Sequence, residues 1–591
     1  MDSQPQTPQK AQKKEGKVSS RERGMRDFDA PMEERRIGNG STLKFGAQVD
    51  MSELPSRGNV ELLPRPSSSC ADPLNWARWR KELAFFSLML ATATIGSLKT
   101  MFVTVNAVVA TELNVGYTGA SALTGVPLIL GALVGVNSQI LSQMIGKRTI
   151  YLVSSILMLL AAVWNMHVTS NYAEFMFSRI FQGIGWGAFE ALVAGSINDL
   201  FFVHERSART NAYNIVSIMF TWGTPILGGY LSQSTQGFRN QIMVINIIQA
   251  FSIVFLILGT PETTFDRTTG ATPPAENAPS GTPFKLYLTT LKLKTQHSTR
   301  PFSMVRALQP VKALYAPSTL LTALLSAPLL ATTFGIAQSL SLIFTSMPTF
   351  LFPSRLGFLF TFPLVFSLLT YSIASFVIYI RSKPPHHLSS SSSNISLGVA
   401  IPALVLSVAG LLAMGLYTEA ALMPTIVDDN GSVFALSTGA DISLKTVSAL
   451  FGILVSGSII LSYSAATHLS SSNWSSPAKS SLLMSGTNFW NDMLIGIWSI
   501  GMPMWVMGAM QEGMTMVMGF KETAIALAIL SIVLSSSVGA MLWSKGQEIR
   551  TVDDRVLGRV EENEGLQQGE GRGNEMGGLK KWDTGGSFME V

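Results

Sequence analysis

Four ionisable side chains stand inside long apolar runs: Lys99, Arg179, Glu190 and Asp492. A charge held in hydrocarbon costs about 2.5–3.5 kcal/mol on insertion scales, so each one calls for a task or a partner. A buried carboxylate can bind a proton or a cation. Burial favours its neutral acid, and a neighbouring cation favours its charged form. Glu190 is the first candidate for such a role. It lies eleven residues beyond Arg179, about three helical turns. The competing reading of Glu190 is a protonated packing carboxyl. Lys99 is a candidate partner for Glu190 or a repeller of cations; the plainer reading has it snorkelling to the outer surface. Arg179 carries the same choice between mechanism and interfacial snorkelling. Asp492 closes the stretch Thr487-Asn488-Phe489-Trp490-Asn491-Asp492, a polar and aromatic cluster suited to a solute site. The alternative sets Asp492 and Asn488 at a helix start near the inner membrane surface.

The elements that must hold these groups are membrane spans. Of 591 residues only 13% are charged, against about 25% in an ordinary soluble domain. Much of the charge is gathered into residues 1–82, 262–312 and 545–591. A bilayer core of about 30 Å needs roughly 20 apolar residues in a helix. Twelve candidates are found near 83–107, 117–141, 149–168, 173–202, 210–234, 239–261, 319–351, 357–380, 398–420, 446–468, 481–510 and 521–543. They are continuously apolar and too long for barrel strands, so an all-α polytopic fold is expected. The layout is a disordered tail (1–75), six spans (76–261), a central loop (262–318), six more spans (319–543) and a second disordered tail (544–591).

Orientation follows from the cations. With the N-terminus inside, Lys147, Arg148, Arg206, Arg267, Lys285, Lys292, Lys294, Arg300, Arg306, Lys312, Arg381, Lys383 and Lys479 all fall on the inner side. The outer loops contain few cations; Arg239, Arg355 and Lys521 lie close to them. The positive-inside rule therefore places both termini in the cytoplasm. The first span then serves as an uncleaved signal, since the polar N-terminal segment has no secretory core. The sequon at Asn430 falls outside and is an expected glycosylation acceptor; those at Asn394 and Asn473 fall inside. One cysteine, Cys70, excludes an intramolecular disulfide framework. The net charge of +5 suits a membrane face better than nucleic acid. The central loop contains a basic and apolar stretch from Phe284 to Lys294, suited either to the inner leaflet or to a solvated linker.

Short motifs narrow the reading. Asp72-Pro73-Leu74-Asn75-Trp76 precedes the first span, and Gln143-Met144-Ile145-Gly146-Lys147-Arg148 joins spans 2 and 3. Span 4 carries Arg179-Ile180-Phe181-Gln182-Gly183 and ends in Asn198-Asp199-Leu200, with His204-Glu205-Arg206 after it. Span 5 holds Gly223-Thr224-Pro225-Ile226-Leu227-Gly228-Gly229, and Pro261-Glu262-Thr263 closes the sixth. The region 76–545 resembles the major facilitator superfamily, in particular fungal members of the twelve-span drug:proton antiporter group. The end of span 4 resembles a subgroup that includes cation and polyamine carriers as well as drug exporters. The resemblance implies two pseudo-symmetric six-helix bundles. It implies a conformational loop at Gly146, Lys147 and Arg148, although Gln143 stands at the family's acidic position. It implies a role for Arg179 in proton coupling, and an antiporter motif in span 5 with Thr224 in place of its glycine. Pro225, Gly228 and Gly229 retain that motif; proline frees a backbone acceptor and glycines permit close helix approach. Asp199, Glu205 and Arg206 are read as a gate or salt-bridge cluster at the inner end of span 4. The second half matches by span pattern alone.

The leading expectation is a secondary transporter of a small organic solute, a drug, metabolite or organic cation, coupled to protons. It would be monomeric, lie in the plasma or vacuolar membrane and use no cofactor or metal. No GxxxxGK[ST] loop, HExxH or GxSxG motif occurs, so a built-in ATPase or hydrolase has no support. Two alternatives stay open: uptake of polyamine-like cations by symport, and a solute sensor with a carrier fold.

Overall fold

The computed structural model describes residues 72–265 and 304–557, except 169, 235–236, 346–348, 382–388, 423–441, 474–475 and 512–515, together with residues 56–57, 60–61, 64, 66 and 291. Asn430 and most of the central loop therefore lie outside the described residues. Within Met1–Glu61, Ser56–Arg57 pairs antiparallel with Val60–Glu61. These two-residue strands are the one departure from helix among the described elements. Residues 62–591 form a single compact unit.

Twelve long helices fill that unit among its described residues. In the first half they are α1 (Arg78–Thr100), α2 (Tyr117–Ile145), α3 (Lys147–His167), α4 (Tyr172–Leu200), α5 (Val203–Leu231) and α6 (Arg239–Gly259). In the second they are α7 (Pro317–Thr345), α8 (Thr361–Arg381), α9 (Ser389–Leu422), α10 (Leu444–Ser472), α11 (Pro477–Gln511) and α12 (Met516–Leu557). Among the described residues ten helices or helix pairs are long and apolar enough to cross a membrane. Helices α5 and α11 have 29 and 35 residues. The chain is thus a multi-pass helical membrane protein.

The helices pair in a repeating pattern. Within the first half α1 packs on α5 and α6, α2 on α4, and α3 on α4 and α6. Adding six to each number gives the second half: α7 on α11 and α12, α8 on α10, and α9 on α10 and α12. The contacts between halves, α2 with α11 and α5 with α8, exchange under the same rule. This is the two-fold pseudo-symmetry of duplicated six-helix bundles.

Several boundaries differ from those expected. The first span stops at Thr100 and restarts as the short helix Asn106–Glu112; the break falls in Met101-Phe102-Val103-Thr104-Val105, an apolar run that hydropathy reads as continuous. The central loop contains helical turns at Met304–Ala307 and Gln309–Leu314. The last helix runs past residue 543 to Leu557, into the stretch expected to be a disordered tail, with non-helical φ/ψ at Lys545. Beyond that kink Asp553 accepts from the Ser318 amide at 3.1 Å, capping α7, and Asp554 meets Lys479 of α11 at 2.5 Å. Polar capping rather than lipid holds this last segment.

Glycines set the spacing of α2 and α4. A Cβ at Gly187 would collide with the Gly131 carbonyl, and one at Gly135 would lie 3.0 Å from the Gly187 carbonyl. A branched side chain must push the pair apart, and overpacking costs about 1–3 kcal/mol. Gly187→Val is therefore expected to lower the melting temperature of the detergent-purified protein while Gly508→Val, which meets open space, leaves it unchanged.

Candidate functional site

The three buried charges meet. Lys99 comes from the C-terminal end of α1, Glu190 from the C-terminal half of α4, and Asp492 from the middle of α11. Side chains lean toward the N-terminus of their helix. Lys99 and Glu190, on antiparallel helices, therefore lean toward each other, which closes the gap between their different depths. The Lys99 ammonium forms an ion pair with Glu190 and lies 3.0 Å from Asp492 Oδ1. Side-chain exposures are 15% for Lys99, 16% for Glu190 and 10% for Asp492, so the cluster is nearly but not wholly enclosed. Two carboxylates share one ammonium, which leaves one negative charge in excess when all three are ionised.

A narrow cleft, with enclosed room for about one water molecule, lies against the cluster. Gly131, Gly135 and Gly187 form its first-half wall, and Ser485, Asn488 and Phe489 form the wall on α11. Asn488 is one turn from Asp492 and shares the cleft with it. Asp492 stands well inside α11, not at a helix start. Tyr213 of α5 lies within electrostatic reach of Lys99, Glu190 and Asp492.

Arg179 is fully buried, with 0% exposure, and does not snorkel to the surface. Its Nε donates to the Leu123 carbonyl of α2 at 3.0 Å and its two terminal nitrogens to Gln182 Oε1 and the Leu98 carbonyl at 2.5 and 3.3 Å. The guanidinium also lies over the rings of Phe102 and Trp186. Arg179 thus ties α1, α2 and α4 together next to Lys99, and Gln182 extends the network to Asn165 at 3.1 Å.

Uncharged contacts join the halves around the cleft. On one side Trp222 of α5 sits among Phe334, Phe360 and Phe451, with ring centroids 5.2, 6.4 and 6.0 Å away. Further along, Tyr117 donates to the Gln338 carbonyl at 2.8 Å and Asn106 to Gln338 Oε1 at 2.6 Å. Pro225, Gly228 and Gly229 lie on α5 in this region. A Cβ at Gly229 would meet the Pro353 carbonyl at 2.5 Å, and one at Gly357 the Pro225 carbonyl at 3.0 Å. Gly228 instead faces the Gln241 side chain of α6. On the opposite side the Tyr371 hydroxyl donates to Asn211 Oδ1 at 3.0 Å and accepts from Asn214 at 2.9 Å, while Tyr463 donates to the same Asn211 oxygen at 3.3 Å. Sequence reasoning passed over this group, because uncharged polar residues in a span raise no alarm. The i, i+3 pair Asn211 and Asn214 on one helix face was the available signal.

The loop between α2 and α3 is built on Glu262. Its carboxylate accepts from the Lys147 and Arg148 amides, each at 3.1 Å, at the start of α3, where a negative charge suits the helix dipole. Gly146 has φ of +84°, and a Cβ there would collide with that carboxylate, so glycine is required on both counts. Lys147 reaches Asp199 at 2.6 Å, and Arg148 donates to the carbonyls of Thr260 and Ile257. The gate cluster expected at the end of α4 is thus spread over two loops. Asp199 turns to Lys147, Arg206 donates to the carbonyls of Asn198 and Phe201 at 2.8 and 3.0 Å, and Glu205 lies within electrostatic reach of Lys81. Gln143, at the position where the family carries an acid, leaves Asp199 and Glu262 as carboxylates of this loop. Among the described residues no group of three or more His, Cys, Asp and Glu side chains is placed to hold a metal ion.

Residues 85–474 match the model of the Major Facilitator Superfamily. The chain belongs to this superfamily. Its curated relatives are fungal. Protein HOL1 of Saccharomyces cerevisiae is 32% identical over 245 residues, 40% of each chain. The MFS antiporter QDR3 of Candida albicans is 32% identical over 122 residues, 21% of this chain and 17% of that one. The chain thus aligns with less than half the length of either relative. Against the solved structure of the nucleoside transporter NupG the TM-score is 0.49, with 12% identity, covering 78% of this chain and 99% of that one.

Proposed function

We propose that the protein is a secondary transporter that exchanges a small organic cation for protons by alternating access. The observation that carries this reading is the cluster of Lys99, Glu190 and Asp492 at the cleft between the halves. Its excess negative charge accepts one further positive charge, from a proton or from a cationic solute, and the two then compete. Asn488, Ser485 and Phe489 supply polar and apolar contacts for the rest of the solute once the halves part and the cleft widens. Membership in a superfamily of transporters, and the description of one relative as an antiporter, support carriage rather than catalysis. The inner-loop cations Lys147, Arg148, Arg206 and Lys479 support a cytoplasmic location for both termini, with a monomer in the plasma membrane as the working assembly.

The test is transport in reconstituted vesicles under an imposed pH gradient. One pH unit supplies about 1.4 kcal/mol of drive per proton. Proton movement is followed while organic cations, polyamines and neutral drugs are added in turn, for wild type and Glu190→Gln. Cation-dependent proton flux in the wild type, strongly slowed in the variant, is the expected result. A flux in Glu190→Gln as fast as in the wild type removes that residue from the mechanism, and binding without flux for any solute favours a sensor.

A further inference from the structure

The two carboxylates of the cluster belong to different halves, and this sets them apart. Lys99 and Glu190 are both in the first bundle, while Asp492 is in the second. Resting on the carrier reading above, we infer a division of labour: Glu190 is the resident counter-ion of Lys99, and Asp492 is the carboxylate that must take up a proton or the cationic solute when the halves part.

The argument lies in what holds each carboxylate beside the lysine. Helix α1 is fastened to α4 by Arg179, whose guanidinium grips the carbonyl of Leu98, the residue before Lys99. It is fastened to α2 by the same side chain through Leu123. These are charge-assisted hydrogen bonds inside one bundle, buried and mutually supporting. Helix α11 meets the first bundle in another way. Gly496, one turn beyond Asp492, faces the Gly125 carbonyl and Ile129, and Gly125 faces Ile500. This is close apolar packing that two surfaces can make and release. Alternating access requires rigid halves and a separable seam. The seam runs between Lys99 and Asp492.

When the halves part, Lys99 and Glu190 therefore leave together as a neutral pair. Asp492 is left in the second bundle with its uncharged neighbours. The titratable groups that face it when the halves are together are Lys99 on α1, Glu190 on α4 and Tyr213 on α5, all on the far side of the seam. An unpaired carboxylate in the middle of a spanning helix is costly. A proton or a cation that joins Asp492 removes that cost, and the transition then carries its passenger. The two carboxylates thus predict opposite defects. A neutral residue at 492 frees the halves to part without a passenger. A neutral residue at 190 leaves Lys99 with Asp492 as its one carboxylate partner in the cluster, so the ion pair across the seam holds the halves together.

The experiment compares Asp492→Asn and Glu190→Gln in two measurements, with Asp492→Ser as a second neutral variant should the amide not fold. Distances between spin labels at Thr111 and Phe352, on the outer ends of the two halves, are recorded at pH 5 and pH 8 with Cys70 replaced by serine. The wild-type distribution should shift with pH, that of the Asp492 variants should not, and Glu190→Gln should stay at the shorter distance. In vesicles the Asp492 variants should lose dependence on the pH gradient, while Glu190→Gln should transport slowly with its dependence intact. A pH-responsive Asp492→Asn, or a Glu190→Gln that uncouples without locking, overturns the division of labour and leaves the carrier reading standing. A wild type without cation-coupled proton flux overturns both.

Discussion

Replacing Lys99 with methionine should destabilise the folded protein by about 3–5 kcal/mol, the cost of removing one partner from a buried ion cluster. Methionine keeps the length of the side chain and its apolar stem, so packing along α1 is nearly conserved and the loss is electrostatic. Glu190 and Asp492 are then brought together with no cation between them. The loss should be largest at alkaline pH, where both carboxylates are charged. It should shrink as the pH falls and protons replace the missing ammonium. Thermal melting of the detergent-purified variant at pH 8 and pH 5 reads both parts. Adding Asp492→Asn to Lys99→Met should restore part of the stability, because one charge is easier to accommodate than two. Directly interacting residues couple by about 0.5–3 kcal/mol in such cycles. A Lys99→Met protein that melts with the wild type at alkaline pH would show that the ammonium does not hold the two acids in place.

The charged residues of this cluster were legible as candidates because charge inside an apolar run is expensive wherever it occurs. What the sequence could not give was their convergence. Lys99 and Asp492 are 393 positions apart, and the pairing depends on how two bundles face each other across a seam. The twelve helices were legible from apolar length, and the duplicated fold from six spans on either side of a polar loop. Apolar length carried the first span through 101–105, where the helix breaks, and stopped the last at 543, where the chain continues as a capped polar helix to Leu557. Glu262 was visible only as part of a familiar tripeptide. Its task, capping α3 beside a glycine of positive φ, needs the loop geometry to be seen. The Asn211, Tyr371 and Tyr463 contact is hidden for a similar reason: such residues are cheap in a span, and only the fold pairs them.

Arg179 should prove the least replaceable side chain in the first bundle. Three donors of one planar group reach Leu123 on α2, Leu98 on α1 and Gln182 on α4, with no exposure to solvent. Arg179→Ala leaves the buried Leu98 and Leu123 carbonyls without this donor and Gln182 Oε1 with Asn165 alone, and each unsatisfied group costs about 1–3 kcal/mol. The sum is of the order of the whole stability of many domains, so this variant is expected to yield little folded protein on size-exclusion chromatography. Arg179→Lys is the sharper test. It keeps the positive charge but replaces a rigid fork by a single ammonium, which cannot satisfy three acceptors on three helices. The lysine variant should therefore fold with a clearly lowered melting temperature. It should also transport more slowly, because Leu98 is held directly beside Lys99 and any shift of α1 moves the ammonium away from Glu190 and Asp492. If charge alone were the contribution of residue 179 to proton coupling, the lysine variant would melt and transport like the wild type. Melting and cation-driven proton flux measured on the same preparation separate the two accounts: a joint loss assigns Arg179 to positioning α1, and unchanged values for both assign it to charge.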